Sequence, residues 1–138
     1  MESLAVNGLK PGKGSFVKTK ILVIDDEESI RFSFHRFLSA EGYCVVTAES
    51  YQEAVALMND MSFDLILADV VLGNGCGIDI LGEVAKRSIK TAVIIMTAYP
   101  SNKTKENVSE KNAAGYLIKP IRQGELVLAV NRALNLVG

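Results

Sequence analysis

From Lys20 onward, short apolar runs alternate with longer amphipathic stretches, and this rhythm limits the fold more than any other feature of the chain. The runs occupy residues 21–24, 44–48, 63–68, 92–96 and 116–118. They are rich in β-branched residues and too short to be helices, so they read as buried parallel strands. Between them, Ile30, Phe34, Phe37 and Leu38 recur at helical spacing. So do Ala54, Leu57, Met58 and Met61, and again Leu126, Ala129, Val130, Ala133, Leu134 and Val137. Such stripes face a core from one side of a helix. Ser50 followed three residues later by Glu53 has the pattern of a capping box at a helix start. Gly42 and Gly115 are expected to form turns after helices.

Five β/α units follow from this pattern. Parallel strands need crossover helices, and the helices cover the faces of the sheet. The expectation is an α/β three-layer sandwich with a five-stranded parallel sheet and five helices. Chain length and the site described below favour the flavodoxin-like strand order 2-1-3-4-5.

The 138 residues suit one compact domain, and 49% are hydrophobic, enough for a sizeable core. A formal net charge of −1 argues against nucleic acid or an anionic membrane as the main partner, since both call for a basic patch. No apolar run approaches the ~20 residues that span a bilayer. The first residues include Glu2 and lack a hydrophobic core segment, so they do not read as a signal peptide. Cys44 and Cys76 make no metal-type pair and suit a reducing cytoplasm as half-buried thiols. Residues 1–18 are expected to be a flexible tail, broken by Gly8, Pro11, Gly12 and Gly14. Pro11 to Ser15 faintly suggests a phosphate-binding loop. It fails the pattern, because Asn7 stands where the first glycine belongs and Gly14 follows Lys13. Residues 19–138 are then the domain.

Ligands of open α/β sheets bind beyond the carboxyl ends of the strands. The first run leads into Asp25 and Asp26, the third into Asp69, the fourth into Thr97, and the fifth into Lys119 and Pro120. Three carboxylates, a hydroxyl and an ammonium therefore converge on one edge. Clustered carboxylates repel, and a hard divalent cation relieves the repulsion. Mg²⁺ takes a few carboxylate oxygens and keeps its other positions for water or phosphate. Lys119 can neutralise an incoming phosphoryl group, Thr97 can donate to one of its oxygens, and one carboxylate can act as nucleophile. Each piece alone has an ordinary reading. Asp25, Asp26, Glu27 and Glu28 would make an acidic helix start. Asp69 would cap a turn, Thr97 would end a strand, and Lys119 would be solvated before a turn proline. These readings lose ground because all must hold together at the ends of the right strands.

The sequence resembles the receiver domain of bacterial response regulators over residues 20–138. The matching stretches are ILVIDDEESIR at 21–31, FDLILAD at 63–69 with Gly77 to Leu81 beyond it, VIIMTAY at 93–99 and AAGYLIKP at 113–120. The resemblance implies that Asp69 is phosphorylated by a sensor histidine kinase or a histidine phosphotransfer protein. It implies Mg²⁺ held by Asp26, Asp69 and the backbone carbonyl of Val71, with Asp25 acting through metal-bound water. Thr97 and Lys119 would hold the phosphoryl group, and Tyr116 would be the switch aromatic that turns inward when Thr97 moves. The domain would be a signalling switch, not an enzyme, able to form a phosphorylation-dependent homodimer and having no membrane or direct nucleic-acid contact of its own. The first helix of this family packs on the kinase. Phe32, opposite the apolar stripe of that helix, is therefore the expected docking contact, while His35 is a solvated histidine rather than a phospho-donor.

Two departures stand out. Gly73 replaces the proline usual four residues after the acceptor, so the loop from Gly73 to Gly77 is expected to be loose. The fourth helix, SNKTKENVSEKN at 101–112, carries one apolar residue, Val108. Two other classes fit less well. A haloacid-dehalogenase phosphatase needs Asp-x-Asp after the first strand and a later acidic pair. A flavodoxin must cradle a phosphate in its first loop, where Asp25 to Glu28 would repel it.

Overall fold

The computed structural model describes residues 18–73 and 75–137. The anticipated tail and its glycine-rich stretch therefore lie outside the described residues, Lys18 excepted. Five strands form one parallel sheet: β1 (Lys20–Ile24), β2 (Cys44–Ala48), β3 (Leu65–Asp69), β6 (Ala92–Thr97) and β7 (Gly115–Ile118), in the order β2-β1-β3-β6-β7. Counted within that sheet, the order is the expected 2-1-3-4-5. Two further strands, β4 (Val71–Leu72) and β5 (Gly75–Cys76), pair antiparallel as a small ribbon just past β3.

Alternation along the strands makes the three layers. Leu22, Ile24, Ile66, Ala68, Val93 and Ile95 face one side. There they meet Ala54 and Met58 of α2 (Tyr51–Asp60), Ile80 and Leu81 of α3 (Ile78–Arg87), and Val108 of α4 (Asn102–Glu110). Ile21, Val23, Leu65, Leu67, Ile94 and Met96 face the other side. They meet Phe34 and Leu38 of α1 (Glu28–Ala40) and Leu126, Val130 and Ala133 of α5 (Gln123–Val137). Each fully buried aliphatic side chain contributes about 1.5–3 kcal/mol. Both faces are covered, which is why these strands lack polar alternation.

The helix ends follow local chemistry. Ser50 Oγ accepts from the Glu53 N–H at 3.1 Å, as the capping pattern predicts. The Glu53 carboxylate reaches one residue further back than a closed box would, accepting from the Glu49 N–H at 2.7 Å. Gly42 has a positive φ of 94°, as expected for a turn after α1. Gly115 does not form the turn after α4. Asn112 takes the left-handed conformation there, with φ 63°, and Gly115 opens β7. The reason for glycine is proximity: a Cβ at Gly115 would lie 3.2 Å from Ile94 Cγ1 on the neighbouring strand. The loop after β3, read as loose from its glycines, is tied at several points. The ribbon closes it, the Gly77 N–H donates to the Val70 carbonyl at 3.0 Å, and Gly77 packs where a Cβ would meet the Asp69 carbonyl oxygen at 2.0 Å. No helix among the described residues is long and apolar enough to cross a membrane.

Candidate functional site

The register levels the strand ends. Ile24 pairs with Ala68, Asp69 with Met96, and Thr97 with Ile118. The first residues beyond these pairs, Asp25 and Lys119, and the last residues of β3 and β6, Asp69 and Thr97, therefore meet along one edge. The geometry turns on Lys119. Its ammonium donates to Asp25 Oδ2 at 2.7 Å, to Asp69 Oδ2 at 2.9 Å and to Glu27 Oε1 at 3.3 Å. The Lys119 side chain is 9% exposed, and its backbone N–H is fixed to the Thr97 carbonyl at 2.8 Å.

Asp25, Asp26 and Asp69 each present a carboxylate oxygen within 4.8 Å of the others. One divalent cation bridges oxygens at such spacing, and a hard oxygen-only donor set suits Mg²⁺ or Ca²⁺ rather than a soft metal. The residues thus fit the cation expected from their chemistry. Asp25 is fully buried and Asp26 exposed. Burial pushes the Asp25 carboxyl above its usual range, although the Lys119 hydrogen bond and the Glu27 N–H, which donates at 2.9 Å, pull the other way. Burial also opposes the charge on Lys119. Its hydrogen bonds to Asp25 and Asp69 outweigh that and hold the ammonium well above the usual lysine range. Lys119 therefore stays charged at any physiological pH.

Asp69 ends β3 and is buried, with Oδ1 accepting from the Val71 N–H at 3.3 Å. Val71 itself is exposed, at the start of the ribbon. Thr97 is buried, and its Oγ1 accepts from the Tyr99 N–H at 2.9 Å. That bond uses a lone pair and not the hydroxyl proton. Tyr116 lies in β7, packed against the α2–α3–α4 side of the sheet. Its hydroxyl is buried without a hydrogen-bond partner among the described residues, an arrangement that costs about 1–3 kcal/mol. Phe32 stands apart from the cluster on α1. It is 63% exposed, and the Arg36 guanidinium lies 5.8 Å from its ring centroid. His35 is exposed.

Two participants escaped the sequence reading. Glu27 was treated as part of an acidic helix start, yet it reaches Lys119. Arg31 donates from Nη1 to the Asp25 carbonyl at 2.8 Å and approaches Glu49 at 3.8 Å. Glu49 follows β2, so the one strand end left out of the sequence argument is connected to the site through Arg31. No local spacing signals these contacts, since Arg31 reaches past α1 to the ends of β1 and β2.

The chain matches the response regulator receiver domain family over residues 21–131. It is 36% identical over 115 residues to the alginate biosynthesis transcriptional regulatory protein AlgB of Pseudomonas syringae, covering 83% of this chain and 26% of that protein. The chain thus spans about a quarter of that relative's length. Among solved structures, the beryllofluoride-activated NtrC4 receiver domain dimer superposes with a TM-score of 0.82 at 30% identity, over 86% of this chain and 98% of that one. A response regulator protein from Burkholderia pseudomallei, solved with a phosphorylated aspartic acid, a calcium ion and citrate, does so with a TM-score of 0.76 at 28% identity, over 86% of this chain and 70% of that one.

Proposed function

We propose that this chain, which belongs to the response regulator receiver family of two-component signalling, accepts a phosphoryl group on Asp69 from a phosphohistidine of a partner kinase or phosphotransfer protein. The observation that carries the assignment is the Lys119 ammonium, held within hydrogen-bond distance of both Asp69 and Asp25 at the rim of a three-carboxylate cluster. Asp69 is the carboxylate that ends a central strand beside Thr97, with one oxygen on Lys119.

A carboxylate oxygen of Asp69 attacks phosphorus, the phosphorus–nitrogen bond of the phosphohistidine breaks, and the imidazole leaves with the bonding pair and takes up a proton. Lys119 meets charge on an equatorial phosphoryl oxygen, and Thr97 donates its hydroxyl proton to another. Asp25, Asp26, Asp69 and the Val71 carbonyl would hold Mg²⁺, which would neutralise charge on the phosphoryl oxygens. The product is a mixed anhydride on Asp69, in a signalling switch rather than an enzyme.

The output follows from what flanks the site. Thr97 precedes α4 and Tyr116 follows it. Movement of Thr97 toward the phosphoryl group opens space for the Tyr116 ring, whose hydroxyl has no hydrogen-bond partner among the described residues. Phe32 with Arg36 offers a kinase an aromatic and cationic contact on α1. A homodimer of the phosphorylated form fits the same reading, as does residence in the cytoplasm, where the free thiols of Cys44 and Cys76 are at home. Residues 19–138 are the receiver. The test is intact-mass analysis after incubation with a small phospho-donor and Mg²⁺. One phosphoryl group is expected on the native chain and none on Asp69→Asn. Equal labelling of the variant sinks the assignment.

A further inference from the structure

An ammonium has three N–H donors, and in Lys119 each has its own carboxylate: Asp25 at 2.7 Å, Asp69 at 2.9 Å and Glu27 at 3.3 Å. A phosphoryl oxygen arriving at Asp69 needs one of those donors. Asp25 is fully buried and holds its place through the Glu27 N–H as well as Lys119, so its share is hard to release. Asp69 is the acceptor itself. Glu27 makes the longest of the three contacts, and its side chain is 59% exposed, with water ready to replace the bond.

We infer that Glu27 is a positioning residue that occupies, in the unphosphorylated protein, the Lys119 donor needed by the phosphoryl group. Its carboxylate stands in for a phosphoryl oxygen at rest and is displaced when one arrives. Two effects follow. Lys119 is kept aimed at the site before any ligand is present. The phosphorylated state is held back, because forming it breaks the Glu27 contact. Glu27 acts through Lys119 and touches neither the attacking oxygen nor the leaving group. The inference rests on the proposed role of Asp69 and adds a competitor to it.

The test uses the full chain and beryllofluoride, a phosphoryl mimic, titrated at saturating Mg²⁺ and followed by ¹⁹F NMR, with Mg²⁺ alone titrated separately. Relative to the native protein, Glu27→Gln is expected to bind beryllofluoride about two- to fivefold more tightly, the size of an exposed ion pair. Its Mg²⁺ affinity should stay the same or fall, since a negative charge is lost. Glu27→Asp keeps the charge but is one methylene shorter, so it should follow the Gln variant. Unchanged or weaker beryllofluoride binding in Glu27→Gln overturns the inference. So does an Asp variant that behaves like the native chain, which would mean a field effect rather than occupancy of Lys119. If the native protein itself binds no beryllofluoride, or Asp69→Asn binds it equally well, the proposed function fails and this inference with it.

Discussion

The two helices that flank β7 in sequence are built on opposite terms. α5 buries Leu126, Val130 and Ala133 against Leu65, Leu67, Ile94 and Met96 of the sheet. α4, on the other face, has one buried side chain among its described residues, Val108. The rest of that helix, NKTKEN before Val108 and SE after it, is polar or charged. Its start is secured by the Ser101 cap, whose Oγ accepts from the Thr104 N–H at 3.0 Å. Hydrophobic attachment scales with buried area, so α5 is fastened to the sheet along its length and α4 chiefly through Val108. Low-stability elements are the natural moving parts of a switch. The weakly held helix is the one that lies between Thr97 and Tyr116.

Truncating the apolar anchor of each helix should affect the two very differently. Leu126→Ala is expected to cost about 2–5 kcal/mol of global stability, read from chemical denaturation. Val108→Ala should cost roughly 1 kcal/mol globally. Its hydrogen-exchange protection should collapse selectively over residues 102–110 while α5 stays protected. Comparable global losses in the two variants would show that α4 is not the weaker attachment.

The carboxylate cluster of Asp25, Asp26 and Asp69 gives a second measurement. With Mg²⁺ at about 100 times its Kd, the native fold should gain about 2.7 kcal/mol of stability by mass action. Asp26→Asn removes one of the three carboxylates and with it most of that gain. The same change relieves like-charge repulsion, so the metal-free variant should melt higher than the native chain. Calorimetry with and without Mg²⁺ checks both halves. A native-like Mg²⁺ shift in the variant would remove Asp26 from the site.

A subtler effect is the response itself. Beryllofluoride should alter hydrogen exchange across residues 98–119 and leave the α1 and α5 interiors unchanged. Changes confined to the neighbourhood of Asp69 would disconnect the phosphoryl site from α4. The smallest effect concerns docking. Phe32→Ala should slow phosphoryl transfer from a cognate kinase several-fold and leave labelling by a small donor unaltered, because the side chain is largely exposed on α1. Equal slowing with both donors would place its role in folding.

Much of this molecule was legible from the chain alone, and the reason is local. Strand and helix identities rest on periodicities contained within a dozen residues, such as Ile21 to Ile24 or Leu126 to Leu134. Which face each strand residue takes came with the structure, where alternation puts Leu22 and Val23 on opposite sides of the sheet. The chemistry of the edge was equally plain, since Asp25, Asp26, Asp69, Thr97 and Lys119 each follow or end an apolar run. What the chain could not declare was partnership. The contact between Glu27 and Lys119 spans 92 positions, and the one between Lys119 and Asp25 spans 94. Such contacts exist only once β1 and β7 share a sheet with a set register. Tertiary structure also decided that Asp25 is buried while its neighbour Asp26 faces solvent, and that Arg31 joins Asp25 to Glu49. It decided that Asn112 takes the left-handed turn while Gly115 serves a close strand approach. Periodicity speaks for the face a residue occupies. Which group meets it there depends on how distant segments are brought together, and in this site that meeting distributes the three protons of Lys119.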